Sequence, residues 1–189
     1  MGKRLIVGMS GASGAPLTVE LLRQLRKNHP EVESHLIVTK GAELTLIQET
    51  DVPLDELKGL ASVCHENGNI GASITSGSFR TMGMIVAPCS MKTVAGVVSG
   101  YSDNLLLRTA DVCLKERRKL VLCARESPLS IVHLRNLYEA SQLGAVILPP
   151  MLTYYNAPGS VEEMTRYTVR RILSQFGLGG DGYQWEGLE

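Results

Sequence analysis

Leu5-Ile6-Val7-Gly8-Met9-Ser10-Gly11-Ala12-Ser13-Gly14 is the stretch that decides the fold. An apolar run too short for a helix ends in a turn with glycine at every third position: Gly8, Gly11 and Gly14. The next segment, Ala15–Lys27, carries apolar residues at helical spacing. A strand that passes through a glycine turn into a helix is the repeating unit of an α/β sheet. Four more short apolar runs repeat the alternation: His35–Val38, Met84–Ala87, Leu120–Ala124 and Ala145–Leu148. Helices are expected over Ala42–Glu49, Leu105–Arg117, Leu129–Gln142 and Val161–Phe176. Ser127-Pro128 reads as an N-cap with proline at the first helical position, and Gly144 as the stop of the fourth helix. The pattern predicts a three-layer α/β/α domain whose parallel sheet is covered on both faces. Right-handed crossovers then bring all the strand ends to one edge.

Composition sets the outer limits. A chain of 189 residues, 44% hydrophobic and 20% charged, suits one domain with a substantial core. Nineteen basic residues balance nineteen acidic ones, so no net positive field favours nucleic acid or an anionic membrane. The apolar stretch at the N-terminus is too short for a signal sequence or a membrane span. A cytoplasmic enzyme is the expectation. Cys64, Cys89, Cys113 and Cys123 lack metal-ligand spacing, so no metal site is expected, and Cys113 and Cys123 read as reduced core residues. Two stretches depart from the alternation. Ser62–Gly83 is too long for an ordinary connector and reads as an active-site or subunit-contact loop. Residues 177–189 form a glycine-rich tail with the only tryptophan, Trp185, read either as docking on this or a neighbouring subunit or as disordered.

Ligands of open α/β sheets bind beyond the carboxyl ends of the strands. After the first run comes the Gly11–Gly14 turn, where a following helix would aim free amides at a ligand. The spacing is GxxGxxG, and the second run ends in Thr39 and Lys40 without an acidic residue for an adenosine ribose. A mononucleotide therefore fits better than a dinucleotide, with Ser13 and Thr39 as hydroxyl donors; a tight turn with no ligand is the plainer reading. Ser90, Lys92 and Thr93 follow the third run and suit a phosphate, a ribose or a ring edge. Cys89 beside them reads as a small packing residue, because nothing in the sequence supplies a paired base. Arg108, Asp111 and Lys115 share one helix face, either as an anion site or as a solvated ion-paired surface. Arg125, Arg171 and the hydroxyl of Tyr155 add further anion-binding groups. Glu126 reads as a proton-transfer group or as a carboxylate at a helix start.

Several of these segments, taken together, resemble the UbiX-type flavin prenyltransferases. They are Gly11-Ala12-Ser13-Gly14, Pro88-Cys89-Ser90-Met91-Lys92-Thr93, Ala110–Arg118 and Leu122-Cys123-Ala124-Arg125-Glu126. Leu148-Pro149-Pro150, Tyr154-Tyr155 and Arg170–Leu173 continue the likeness in the same order. Ser76-Gly77-Ser78-Phe79 and Cys89–Lys92 are most similar to the members associated with hydroxyarylic acid decarboxylases and named as one of their subunits. The resemblance implies a Rossmann/flavodoxin-like parallel sheet and one FMN-binding, flavoprotein-like domain over residues 1–176. It implies that the dimethylallyl group of dimethylallyl monophosphate is joined to N5 and C6 of reduced FMN, without metal. Prenylated FMN would pass to a UbiD-like aromatic acid decarboxylase. FMN would be held by Gly11, Ala12, Ser13, Thr39, Ser90, Met91, Lys92, Thr93, Arg108 and Arg125. Lys115, Arg125, Tyr155 and Arg171 would grip the prenyl phosphate. Glu126 would move protons, with Ser13, Glu49 and Lys115 assisting. The resemblance also implies a homo-oligomer, commonly a dodecamer, with sites at subunit contacts.

Two rivals share the fold. A flavin-dependent cysteine-type decarboxylase has a PASANT-like segment where this chain has Pro88–Thr93, and it needs a catalytic histidine, for which His65 is the one candidate in a suitable loop, with an exposed loop histidine as the plainer reading. A non-catalytic flavin carrier is the other.

Overall fold

The computed structural model describes residues 3–180 and residue 187. Among these residues six strands form one sheet: β1 (Lys3–Met9), β2 (Val32–Val38), β3 (Val63–Glu66), β4 (Gly83–Cys89), β5 (Lys119–Ala124) and β6 (Val146–Ile147). They lie in the order β3-β2-β1-β4-β5-β6, and every pairing is parallel. The helices are α1 (Ala15–Asn28), α2 (Lys40–Glu49), α3 (Leu54–Leu60), α4 (Met91–Ser99), α5 (Leu105–Lys115), α6 (Ile131–Gln142) and α7 (Val161–Ser174). The strands are apolar on both faces because both faces are covered. Leu5, Val7 and Met9 of β1 pack toward one helical layer, with Leu21 and Leu22 of α1 and Ile172 of α7. Ile6 faces the other layer, with Leu106 and Ala110 of α5. β1 neighbours β4, although β2 and β3 intervene in the chain. The winding reverses there, which makes that gap the switch point where such sheets bind ligands.

Three local features differ from the sequence expectation. β3 is a sixth strand inside Ser62–Gly83, where the sequence suggests a single long loop. It alternates half-buried Val63 and His65 with exposed Cys64 and Glu66, so it never shows the apolar run of the inner strands. The same stretch also holds a short 3-10 turn, Ser73–Thr75, anchored by buried Ile74. Secondly, α3 and α4 add two helices to those expected. α4 starts directly after Ser90, and its Gly96 lets the Leu107 methyls of α5 approach closely: a Cβ there would lie 2.8 Å from them. Finally, α6 begins at Ile131 and not beside Ser127-Pro128. Ser130 is its cap; its hydroxyl accepts from the His133 N–H, and His133 Nδ1 accepts from the Ser130 N–H, both at 3.2 Å. This reciprocal pair satisfies two donors at once and outcompetes the serine three residues earlier.

The start of the tail folds onto its own subunit. Leu178 is buried in the α1–α7 layer, and its carbonyl lies 2.9 Å from His29 Nε2. Trp185 lies outside the described residues.

Candidate active site

The carboxyl ends of β1, β2, β3 and β4 surround a cavity of about 620 Å³. Ser10 and Gly11 follow β1, Thr39 to Gly41 follow β2, Asn67 follows β3, and Ser90, Lys92 and Thr93 follow β4. Leu106 and Leu107 of α5 form an apolar wall. The volume falls within the range of small-molecule sites. At its floor the backbones of Gly11 and Gly41 touch; a Cβ on Gly11 would lie 2.9 Å from Gly41 Cα. Ser10 is buried and joins the two halves of the sheet. Its hydroxyl donates to the Pro88 carbonyl at 3.1 Å and accepts from the Ser90 N–H at 2.8 Å. Ser90 in turn caps α4 by accepting from the Thr93 N–H at 3.3 Å.

Four helices begin around this edge, and they differ in what their first amides do. A helix start leaves several N–H groups without intrahelical acceptors. At α1 those of Gly14 and Ala15 both donate to Glu49 Oε2 at 2.8 Å. At α5 the Leu105 N–H donates to the Asn67 carbonyl and the Leu106 N–H to Asn67 Oδ1, while Leu107 is capped by Asn104. The starts of α1 and α5 are therefore closed by protein groups. The starts of α2 and α4 are open: the N–H groups of Lys40, Gly41, Met91 and Lys92 have no acceptor among the described residues. With Lys40 and Lys92 beside them, these two termini suit an oxyanion. The free amides expected at the Gly11–Gly14 turn are thus supplied one strand to either side, because Glu49 occupies those of α1.

Glu49 is held as a carboxylate. Burial raises its pKa, but the N–H of Gly14, the Ser13 hydroxyl, the N–H of Ala15 and the Arg125 charge together outweigh this and lower it below 4.5. A depressed carboxyl stabilises the fold above its unfolded pKa, and that contribution fades as pH falls through the folded value. Glu49→Gln is accordingly expected to cost about 1 kcal/mol near neutral pH, the scale of a lost helix cap. The deficit against the parent should shrink below about pH 4.5. Urea titrations at several pH values measure it; a deficit that persists unchanged into acid would rule out the charge as its cause.

The Flavoprotein family matches residues 1–172. A probable UbiX-like flavin prenyltransferase from Sedimentibacter hydroxybenzoicus is 51% identical over 187 residues, covering 98% of both chains. AnUbiX, crystallised with FMN and dimethylallyl pyrophosphate, superposes with a TM-score of 0.96 at 47% identity over the full length of both chains. The dodecameric FMN-dependent UbiX-like decarboxylase from Escherichia coli O157:H7 gives a TM-score of 0.94 at 49% identity, covering 97% of this chain and 100% of that one. The chain belongs to the UbiX-type flavin prenyltransferase family.

The residues that the UbiX-type likeness singles out fall into three places. Gly11, Thr39, Ser90, Lys92 and Thr93 line the cavity. Met91 follows Ser90, but its side chain is buried in the core, so only its backbone N–H faces this edge. Beside the cavity, the Gly11–Gly14 turn carries Ala12 and Ser13, and the Ser13 hydroxyl and the Arg125 charge both act on Glu49. Glu126 follows Arg125 on the same edge, exposed, with Oε1 accepting from the Ser127 N–H at 3.0 Å. Tyr155 also lies beyond the strand ends, after β6, its hydroxyl 2.6 Å from that of Tyr167.

The third place is the opposite edge. Lys115 ends α5, about 12 Å further down the helix axis than Leu107, with Nζ 2.6 Å from Glu116. Arg171 sits in the last turn of α7, whose end is tied to the start of β5 by Lys119 and the Gln175 carbonyl. α5 and α7 cover opposite faces of the sheet. Arg108 lies one residue beyond the cavity wall and pairs with Asp111 at 2.6 Å; Lys115, expected on the same face, pairs with Glu116 instead.

Two residues with reactive side chains are accounted for by packing. Burial pushes the Cys89 thiol far above its ordinary value, with the neighbouring Cys123 adding to the shift. His65 turns its Nε2 to His35 Nδ1 at 2.9 Å, stacked ring on ring, and does not line the cavity. Ser10, Gly41 and Asn67 line the cavity, and sequence reasoning alone does not single them out. The first is visible as the residue directly after a strand; the other two carry no signal until the fold brings them to the cavity.

Proposed function

We propose that this chain transfers the dimethylallyl group of dimethylallyl monophosphate to N5 and C6 of reduced FMN. The observation that carries the reading is the switch-point cavity, with the open amides of α2 and α4 and the hydroxyls of Thr39, Ser90 and Thr93 at its wall. Those groups match the phosphate and ribityl oxygens of a mononucleotide. Bound reduced flavin supplies the nucleophile. The protein's part is to orient it and to accept the leaving group. Lys115, Arg171 and Tyr155, with Arg125 between the two ligands, hold the phosphate as the allylic carbon–oxygen bond breaks and its electron pair departs with oxygen. Glu126 carries protons at the flavin edge, and Ser13 and Glu49 keep the turn in place.

Lys115 and Arg171 stand at the far edge of their own protomer, so the reading includes a homo-oligomer, a dodecamer, in which neighbours complete each site. It also includes a cytoplasmic location, favoured by three buried free thiols, Cys89, Cys113 and Cys123. A UbiD-like aromatic acid decarboxylase is the recipient of prenylated FMN. The decisive experiment incubates purified protein with reduced FMN and dimethylallyl monophosphate in the presence of a chelator, then measures the mass of the extracted flavin. Prenylated FMN is expected, with the diphosphate donor as a parallel arm. Unmodified FMN from folded, FMN-loaded protein with both donors would reject the reading.

A further inference from the structure

We infer that Asn67 binds the flavin directly, donating a hydrogen bond from Nδ2 to a neutral oxygen, either a ring carbonyl or a ribityl hydroxyl. This rests on the flavin reading above. Asn67 follows the edge strand β3 and lines the cavity. Its carbonyl accepts from the Leu105 N–H at 2.8 Å, and Oδ1 accepts from the Leu106 N–H at 3.1 Å. An N–H must face an oxygen, so the second bond fixes which end of the amide is which. Both N–H groups of Nδ2 are left without an acceptor among the described residues. Asn104, the other amide capping α5, differs. Its Oδ1 accepts from the Leu107 N–H, but its Nδ2 is already given to Asp103 Oδ1 at 2.7 Å.

Asn67 is therefore a donor held in place by a helix cap, with its N–H groups unspent beside a ligand cavity. Glu66, next to Asn67 in the chain, lines the same cavity and disfavours a phosphate beside it, which leaves the neutral oxygens of the flavin as acceptors for Asn67. The cap and the donation are separable by substitution. Asn67→Asp keeps an oxygen for the Leu106 N–H, and a carboxylate at a helix start is favourable. It removes the donor and sets a negative charge against the ligand oxygen.

Flavin fluorescence and thermal melting of the full chain test this. The dissociation constant for FMN should rise about tenfold or more in Asn67→Asp, while the apo melting midpoint is not lowered. Asn67→Ala should weaken FMN similarly and lower the midpoint as well, and it carries the comparison if Asn67→Asp does not fold. Lumiflavin, which lacks the ribityl chain, separates the two acceptors: a ring contact predicts the same loss, a ribityl contact predicts none. If the parent binds FMN and Asn67→Asp binds it equally well, the inference is overturned. Failure of both variants to fold also overturns it, because the role would then be structural. A parent that binds no FMN overturns the flavin reading and this inference with it.

Discussion

Lys115→Ala and Glu126→Gln, each nearly inactive alone, are expected to recover prenyl transfer when co-assembled into one oligomer. Glu126 follows β5 at the carboxyl edge of the sheet, whereas Lys115 lies at the end of α5 on the opposite edge. A helix of 11 residues separates the two levels, and no side chain spans it. If one protomer offers the flavin edge and a neighbour offers the cation, a mixed oligomer contains sites in which both groups are intact. Random co-assembly makes about a quarter of the sites complete. Each single variant should lose about 10²- to 10³-fold in turnover, the scale for removing one preorganised charge at a developing anion. FMN binding should stay close to the parent's in Lys115→Ala, since Lys115 is remote from the cavity of its own chain. Prenylated FMN per site, in samples shown by native mass spectrometry to be mixed, is the measurement. A mixture no more active than its two components would place both groups in one protomer's site and contradict the observed separation.

Gly11→Ala is expected to weaken FMN binding about thirtyfold, which corresponds to about 2 kcal/mol. The added methyl would lie 2.9 Å from both Cα and the carbonyl carbon of Gly41. These are backbone atoms at the start of α2, so no flexible side chain can swing aside. The methyl must push the β1 turn away from α2. That shift moves the open N–H groups of Lys40 and Gly41, the ones that suit an oxyanion. The pairing is mutual: a Cβ on Gly41 would lie 3.2 Å from Gly11 Cα, which a few tenths of an ångström of movement relieves. Gly41→Ala should therefore be the milder change. Flavin fluorescence titration measures both, and equal affinities for parent and Gly11→Ala would show that the contact does not shape the cavity.

Local segments declare themselves in the sequence wherever one short stretch carries the whole signal. The β1 turn is such a case, because an apolar run, its glycines and the helix that follows are continuous in the chain. The same holds for Ser90-Met91-Lys92-Thr93, whose position after a strand marks it as ligand-facing, although the helix it opens leaves no clear trace. β3 is hidden because an edge strand buries only one residue in two, and four residues are too few to show that period. The α6 cap is misplaced at Ser127 in the sequence because the reciprocal bonds between Ser130 and His133 that define it form only in the folded chain.

Which helix starts are open is settled by contacts between segments far apart in the chain. Glu49 closes α1 from 35 residues away, Asn67 closes α5 from 39, and Ser10 clamps Ser90 across 80. Each is a short-range hydrogen bond between segments distant in the chain, so neither composition nor spacing encodes it. The alternation of the sheet and the chemistry waiting at its edge are written in the order of the residues. The packed fold determined where that chemistry is free to meet a ligand, because a backbone amide is available only when no other part of the protein has already reached it.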